Sequence, residues 1–182
     1  MNITVIGRGN VGGGLAKLWR AAGHEVRELG RDGGDASDAD VVVVAVPSGQ
    51  IGDALAKVRG AEGKTTIDAT NTLGERSSDF PSLAHEVKSI LGGPTAKAFN
   101  LNFALIYDEI ASQRVRPGNL CAGDEEAREA AEQLSRDAGY EPVSAGGLEQ
   151  ARALEDHLGL MFAVNRAGLG PFFYRIAKPG EL

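Results

Sequence analysis

Gly7-Arg8-Gly9-Asn10-Val11-Gly12 spells G-x-G-x-x-G. With 25 glycines in 182 residues, the bare pattern arises by chance in roughly half of such chains, so its surroundings carry the argument. Asn2 to Ile6 (NITVI), directly ahead of it, is β-branched and apolar and reads as a short buried strand. Behind it Val11, Leu15, Leu18, Trp19 and Ala22 recur at helical spacing, and Gly23 stands where a left-handed C-terminal cap belongs. In a strand–turn–helix of this kind Gly7 permits the tight turn, Gly9 lets the backbone approach a pyrophosphate, and Gly12 lets the helix pack closely on the strand. The free amides and positive dipole end of the helix then face the phosphates. The chemistry implied is dinucleotide binding.

Which dinucleotide is decided about 20 residues further on, at the end of the second strand, where a carboxylate would grip the adenosine ribose of NAD. That strand is Glu25 to Leu29, and the position is Gly30, followed by Arg31. A missing carboxylate and an adjacent guanidinium favour the 2′-phosphate of NADP, through a charge-assisted contact. Glu28 competes for the ribose if the boundary lies two residues earlier, and Asp32 if the turn curls back.

Other chemistries find little support. His24, His85, His157 and Cys121 are not spaced as metal ligands, there is no CxxC or HExxH, and no metal is expected. Nothing fixes the separation of Asp68 and Asp79, so an acid–base pair there is not expected, and Ser48-Gly49 lacks the G-x-S-x-G of a nucleophile elbow. Cys121, between Leu120 and Ala122, reads as an inert buried thiol. Lys57, Arg59 and Lys64 read as a solvated face. Met161 and Phe162 with Phe172, Phe173 and Tyr174 suit core packing or a dimer interface, with stacking on a flavin-like ring as the sharper alternative.

The elements that must position the loop follow from pattern. Val41 to Val46 (VVVVAV) is too uniformly apolar for a half-exposed strand and belongs in the centre of a parallel sheet. Ile51, Leu55 and Val58 mark a helix, Lys64 to Thr70 a strand, Leu83 to Leu91 a helix, and Thr95 to Phe99 a strand. Two further helical patterns run over Ala127 to Ala138 and Leu148 to Phe162. Sustained alternation indicates an α/β, Rossmann-type doubly wound and mostly parallel sheet. Residues 1–182 are expected to form one domain, with 147–182 a C-terminal helical segment that closes the pocket or dimerises.

Net charge of −6 and a pI near 5.1 argue against nucleic acid and anionic membrane as partners. Residues 1–31 nevertheless hold five basic side chains against Glu25 and Glu28, so the positive exception lies where a polyphosphate would sit. The longest apolar run, Val41 to Pro47, is far below the ~20 residues of a membrane span. A lone cysteine and the absence of signal-peptide features at the N-terminus lead to the expectation of a cytoplasmic protein.

Several segments together carry a family resemblance covering nearly the whole chain: Ile6–Gly12 (IGRGNVG), Ala22–Val26 (AGHEV), Asp40–Pro47 (DVVVVAVP), Lys97–Asn100 (KAFN), Cys121–Asp124 (CAGD), Ala145–Leu148 (AGGL) and Ala151–Glu155 (ARALE). In order and spacing they resemble the NADPH-dependent deazaflavin (coenzyme F-420) reductases, whose fold also serves STEAP-type metalloreductases. The resemblance implies NADP(H) held by Arg8, Gly9, Asn10 and Val11 and by Arg31, with Val46, Pro47 and Ser48 near the nicotinamide. Asn71 and the Phe99-Asn100 pair, together with Pro47, would surround the second ring system. It further implies a homodimer built through C-terminal helices. Two departures stand out. Gly30 replaces the hydroxyl residue common beside the arginine, and Gly30 to Asp40 is too short for the helix and extra strand those reductases carry there.

The function expected is hydride transfer between NADP(H) and a small-molecule redox co-substrate, a deazaflavin or an FMN/FAD-type flavin. Ring-to-ring transfer depends on stacking and water exclusion, so no catalytic acid is assigned and positioning does the work. The alternatives are reduction of a small carbonyl or imine, for which the long helical domain of imine reductases is missing, and a non-catalytic NADPH-binding redox sensor.

Overall fold

Val41–Val44 (β4) is buried at every position, and the reason is visible in the layers on either side. Val41 and Val43 join a core with Leu15, Trp19, Ala131 and Leu134, whereas Val42 and Val44 join another with Ile51, Leu55, Leu83 and Val87. A strand covered on both faces cannot alternate polar and apolar residues. The computed structural model describes residues 1–72 and 79–181.

In chain order the elements of the main sheet are β1 (Asn2–Ile6), β2 (Glu25–Leu29), β4, β6 (Thr65–Asp68), β7 (Thr95–Ala98), β8 (Gly118–Gly123) and β9 (Glu141–Ser144), arranged β2-β1-β4-β6-β7-β8-β9. All neighbours are parallel except β7 and β8. Helices α1 (Asn10–Ala21) and α4 (Glu125–Asp137) pack on one face, α2 (Ile51–Leu55) and α3 (Leu83–Leu91) on the other. The α/β doubly wound expectation therefore holds. Trp19, fully buried, ties the first face together by donating Nε1–H to the Leu134 carbonyl at 2.9 Å. Helix α3 starts on Ser82, whose hydroxyl accepts from the His85 amide, and ends on left-handed Gly92.

One local expectation is corrected. Val58 does not continue the helix of Ile51 and Leu55 but lies in β5 (Val58–Arg59), which pairs with β3 (Gly34–Asp35) in a separate two-stranded sheet. The basic residues read as a solvated face do lie at the surface, where Lys57 Nζ donates to the Arg31 carbonyl (3.3 Å), Lys64 Nζ to the Ser37 carbonyl (2.8 Å), and Arg59 lies 3.6 Å from Asp35. As the short Gly30–Asp40 connection implied, no extra strand of the main sheet intervenes, and β2 is an edge strand.

The last helix, α5 (Ala151–Val164), sets Leu154, Leu158 and Met161 against Leu101 and Ala122. Phe162 and Phe172 pack around Phe103 with ring centroids 6.0 and 5.3 Å away, so these aromatics are occupied within the chain. The tail then returns to β8, where Tyr174 accepts from the Gly118 amide on its carbonyl (2.6 Å) and from the Leu120 amide on its hydroxyl (3.0 Å). Among the described residues no helix is long and apolar enough to cross a membrane.

Candidate functional site

From β1 the chain runs through α1 to β2 on one side, and the next main-sheet strand, β4, lies on the other side of β1. The carboxyl ends of β1 and β4 thus border a topological switch point, the crevice where ligands of open α/β sheets bind. Gly7 sits there at φ +112, a conformation side chains rarely adopt, and a Cβ on it would stand 2.8 Å from the carbonyl carbon of Ala45. At Gly12 a Cβ would come within 3.0 Å of the Gly7 carbonyl carbon and 3.1 Å of Val5 Cγ1, which is the close helix–strand packing expected of it. Gly9 is the opposite case: a Cβ there meets nothing within 4 Å among the described residues. Helix α1 has no side-chain cap and no acidic residue in its first turn, so its unpaired amides and dipole remain available to an anion.

At the end of β2, Gly30 bridges to Gly33 and the chain turns back. A Cβ on Gly30 would lie 2.6 Å from Cζ and 2.7 Å from Nε of Arg8, so the Arg8 guanidinium fills the space of a side chain at position 30. Arg31 and Asp32 are exposed in the turn. Glu28 is engaged through Oε2 by Arg20 of α1 at 2.6 Å, and its Oε1 lies on the side of Gly13.

Beyond β4, Val46 and Ser48 are half-buried and Pro47 is exposed at the start of a 3-10 turn, Ser48–Gln50. Asn71 and Asn100 meet across the ends of β6 and β7. Asn71 Nδ2 donates to the Asn100 carbonyl (2.6 Å), and Asn100 Nδ2 donates to Asn71 Oδ1 (3.1 Å) and to the Leu154 carbonyl of α5 (3.1 Å). The hydroxyls of Thr70 and Thr72 and the Oδ1 of Asn100 are buried without a hydrogen-bond partner among the described residues. Phe99 is 1% exposed, with its ring edge-on to Trp19 at 5.5 Å. The Phe99 side chain is occupied in the core, so what this residue presents at the end of β7 is its backbone. Its backbone is held at φ +61, the sole positive φ outside glycine among the described residues. Such strain persists only where surroundings enforce it. Here Asn119 Oδ1 accepts from the Phe99 amide (3.2 Å) and from Asn102 Nδ2 (2.7 Å), while Asn119 Nδ2 donates to Ser135 Oγ (2.7 Å).

Beneath the amide pair lies a group that sequence reasoning missed. Lys97 is fully buried, and its Nζ donates to Asp68 Oδ2 (2.8 Å) and the Thr70 carbonyl (2.6 Å) and lies 3.1 Å from Glu155 Oε1 on α5. Asp68 Oδ1 accepts from the Thr70 amide at 2.8 Å. Asp68 is therefore a structural partner of Lys97. The available signal was the single charge in Thr95–Ala98 facing, one strand over, the single charge in Thr65–Asp68, because buried charges are paired.

The remaining candidates lie elsewhere. His24 Nε2 is 2.9 Å from Asp137, His85 Nδ1 is 2.7 Å from Ser82 Oγ, and His157 is exposed on α5. Burial, followed by the nearby Glu132 charge, pushes the Cys121 thiol up to about 12.

No family model matches the chain, and neither does any curated protein sequence. Solved structures do share its fold. An Arthrobacter protein, whose designation as an F-420-dependent NADP reductase is itself provisional, superposes with a TM-score of 0.80 at 22% identity over 98% of this chain and 100% of that one. A hypothetical protein from Sinorhizobium meliloti gives 0.71 at 22% identity, over 85% and 89% of the two chains. A reductive aminase from Aspergillus terreus, solved with NADPH and ethyl levulinate, gives 0.67 at 16% identity, covering 92% of this chain but 63% of that one. At these identities the likeness is one of fold.

Proposed function

We propose that the chain is an NADP(H)-dependent oxidoreductase that passes a hydride between the nicotinamide cofactor and a deazaflavin- or flavin-type acceptor. The observation that carries this reading is the convergence at one switch point of an open glycine loop and a turn that ends β2 in Gly30 rather than a carboxylate, with Arg8, Arg31 and Lys57 gathered around it. The open space at Gly9 and the uncapped start of α1 suit a pyrophosphate held by the backbone of Gly7, Arg8, Gly9, Asn10, Val11 and Gly12. Gly30 and Arg31 suit the adenosine end, and Val46, Pro47, Ser48 and Asn71 the nicotinamide end. When bound, the nicotinamide supplies or accepts the hydride. The chain's own part is to orient the ring, which the cross-bonded Asn71 and Asn100 and the Thr70 and Thr72 hydroxyls, without a partner among the described residues, can do by hydrogen bonding. These are amides and hydroxyls rather than an acid, a set that suits ring-to-ring transfer better than reduction of a carbonyl or imine.

The acceptor would enter beside Pro47, Asn71 and Asn100. The C-terminal segment 147–182 would close that side and pair with a second copy, a role favoured by the exposure of Leu160 (56%), Leu169 (63%) and Ile176 (52%). The test is to mix purified protein with NADPH and coenzyme F-420, FMN or FAD and follow the nicotinamide absorbance. Loss of absorbance with one of these acceptors is expected. No loss with any of them, or turnover with imines or ketones alone, overturns the acceptor class.

A further inference from the structure

We infer that the preference for a phosphate on the adenosine 2′-oxygen is set by Arg8 and Lys57, with Arg8 standing in for the side chain that the end of β2 lacks. This rests on the NADP(H) reading. In a dinucleotide fold the residue closing the second strand meets the adenosine ribose. Here that residue is Gly30, and the volume its side chain would occupy already holds the guanidinium of Arg8, with Cζ 2.6 Å and Nε 2.7 Å from a Cβ built on it. A side chain at position 30 therefore requires the Arg8 guanidinium to move aside. The glycine loop reaches sideways to do what β2 would otherwise do.

Lys57 approaches the same turn from another part of the chain. A Cβ on Gly33 would stand 2.5 Å from Cβ and 2.6 Å from the carbonyl carbon of Lys57, and Lys57 Nζ lies 3.3 Å from the Arg31 carbonyl. The short connection makes this possible: the chain reverses at Gly30–Gly33 and docks on β5 through β3, drawing the residue before β5 against the turn. The turn thus has a guanidinium over Gly30, Arg31 exposed within it and an ammonium beside it. Glu28 Oε2 is paired with Arg20 at 2.6 Å and Asp35 faces Arg59 at 3.6 Å, and Asp32 is the exposed carboxylate within the turn itself. A planar, always-charged guanidinium and a mobile ammonium suit a phosphate monoester, which takes charge-assisted hydrogen bonds from both.

The test uses 2′,5′-ADP and 5′-AMP, which differ only in the 2′-phosphate, titrated calorimetrically into the full chain alongside NADPH and NADH. Arg8→Ala is expected to weaken 2′,5′-ADP about 10-fold or more, and Lys57→Ala, whose ammonium is more solvated, about 3-fold, with 5′-AMP changed less than about 2-fold in each. The wild-type preference should fall with added salt more steeply than that of Arg8→Ala. The decisive variant is Gly30→Ser. A serine hydroxyl would by itself help hold a phosphate, yet in the wild-type background it must displace Arg8 and is expected to weaken 2′,5′-ADP; in the Arg8→Ala background it is expected to strengthen it. Improvement in both backgrounds, or an unchanged 2′-phosphate preference in Arg8→Ala and Lys57→Ala, overturns the inference and leaves Arg31 as the determinant. Failure of the wild type to bind either NADPH or NADH overturns instead the cofactor reading beneath it.

Discussion

Replacing Lys97 by methionine removes an ammonium of nearly the same length from the buried junction of β6, β7 and α5. The wild-type group is shared by Asp68 at 2.8 Å, the Thr70 carbonyl at 2.6 Å and Glu155 at 3.1 Å, all in a region where Lys97 and Asp68 are fully buried. Breaking a buried pair by removing one partner costs about 3–5 kcal/mol, because a charge is left uncompensated. Lys97 serves two carboxylates and a carbonyl, which places Lys97→Met near the upper end, about 5 kcal/mol. At about 2–4 °C per kcal/mol for a domain of this size, Tm should fall by roughly 10–20 °C, a large fraction of a total stability of about 5–15 kcal/mol. Urea unfolding followed by circular dichroism measures the loss, and Glu155→Gln, which keeps an oxygen for the Leu83 amide now bonded at 2.8 Å, should cost far less. Adding Asp68→Asn and Glu155→Gln to Lys97→Met should recover much of the loss, since the uncompensated charges are then gone. A single-variant loss below about 1 kcal/mol, or a triple variant as unstable as the summed single substitutions, would refute the claim that one shared ammonium holds the three elements together.

Gly9→Val should leave Tm within about 1 °C while abolishing nucleotide binding by calorimetry, because a Cβ at Gly9 meets nothing within 4 Å among the described residues; Gly12→Val should lower both, through its clash with the Gly7 backbone. Cys121, held up to about 12 chiefly by burial, should react with a disulfide reagent at neutral pH only as the protein unfolds, and rapid labelling of native protein would contradict its placement. Burial disfavours the Asp124 carboxylate, but hydrogen bonds from Lys88 (2.7 Å) and the Thr95 amide (2.8 Å) outweigh it and hold its carboxyl below the usual range. Its stabilisation is then complete above the ordinary aspartate pKa and lost as pH falls through the lowered folded value, so Asp124→Asn should be less stable than wild type at neutral pH and the gap should close in acid; a pH-independent gap counts against the assignment.

The parts of the fold legible in sequence were those governed by neighbours in the chain. β1, β2 and α3 fall on the residues their patterns indicated, since a β-branched run bounded by glycine, or a helix opened by Ser82 and closed by Gly92, is specified within a dozen positions. The two-residue strands β3 and β5 were not legible, and Val58 was drawn into a helix, because such a short pairing has no periodicity and exists only through its partner. The backbone of Phe99 was not legible for a similar reason. Its KAFN setting gives no sign of a left-handed backbone that Asn119, twenty residues on, keeps in place.

The same division runs through the candidate site. A strand ending in G-x-G-x-x-G before an amphipathic helix specifies the nucleotide loop locally, because the turn, the close approach and the helix dipole all arise within one short segment. The space over Gly30, the approach of Lys57 to the following turn and the meeting of Lys97 with Asp68 and Glu155 depend on strand register, crossover direction and the docking of α5. Those contacts join residues 22, 26, 29 and 58 positions apart, and their energies are set by burial and distance, quantities that exist only once the layers have packed.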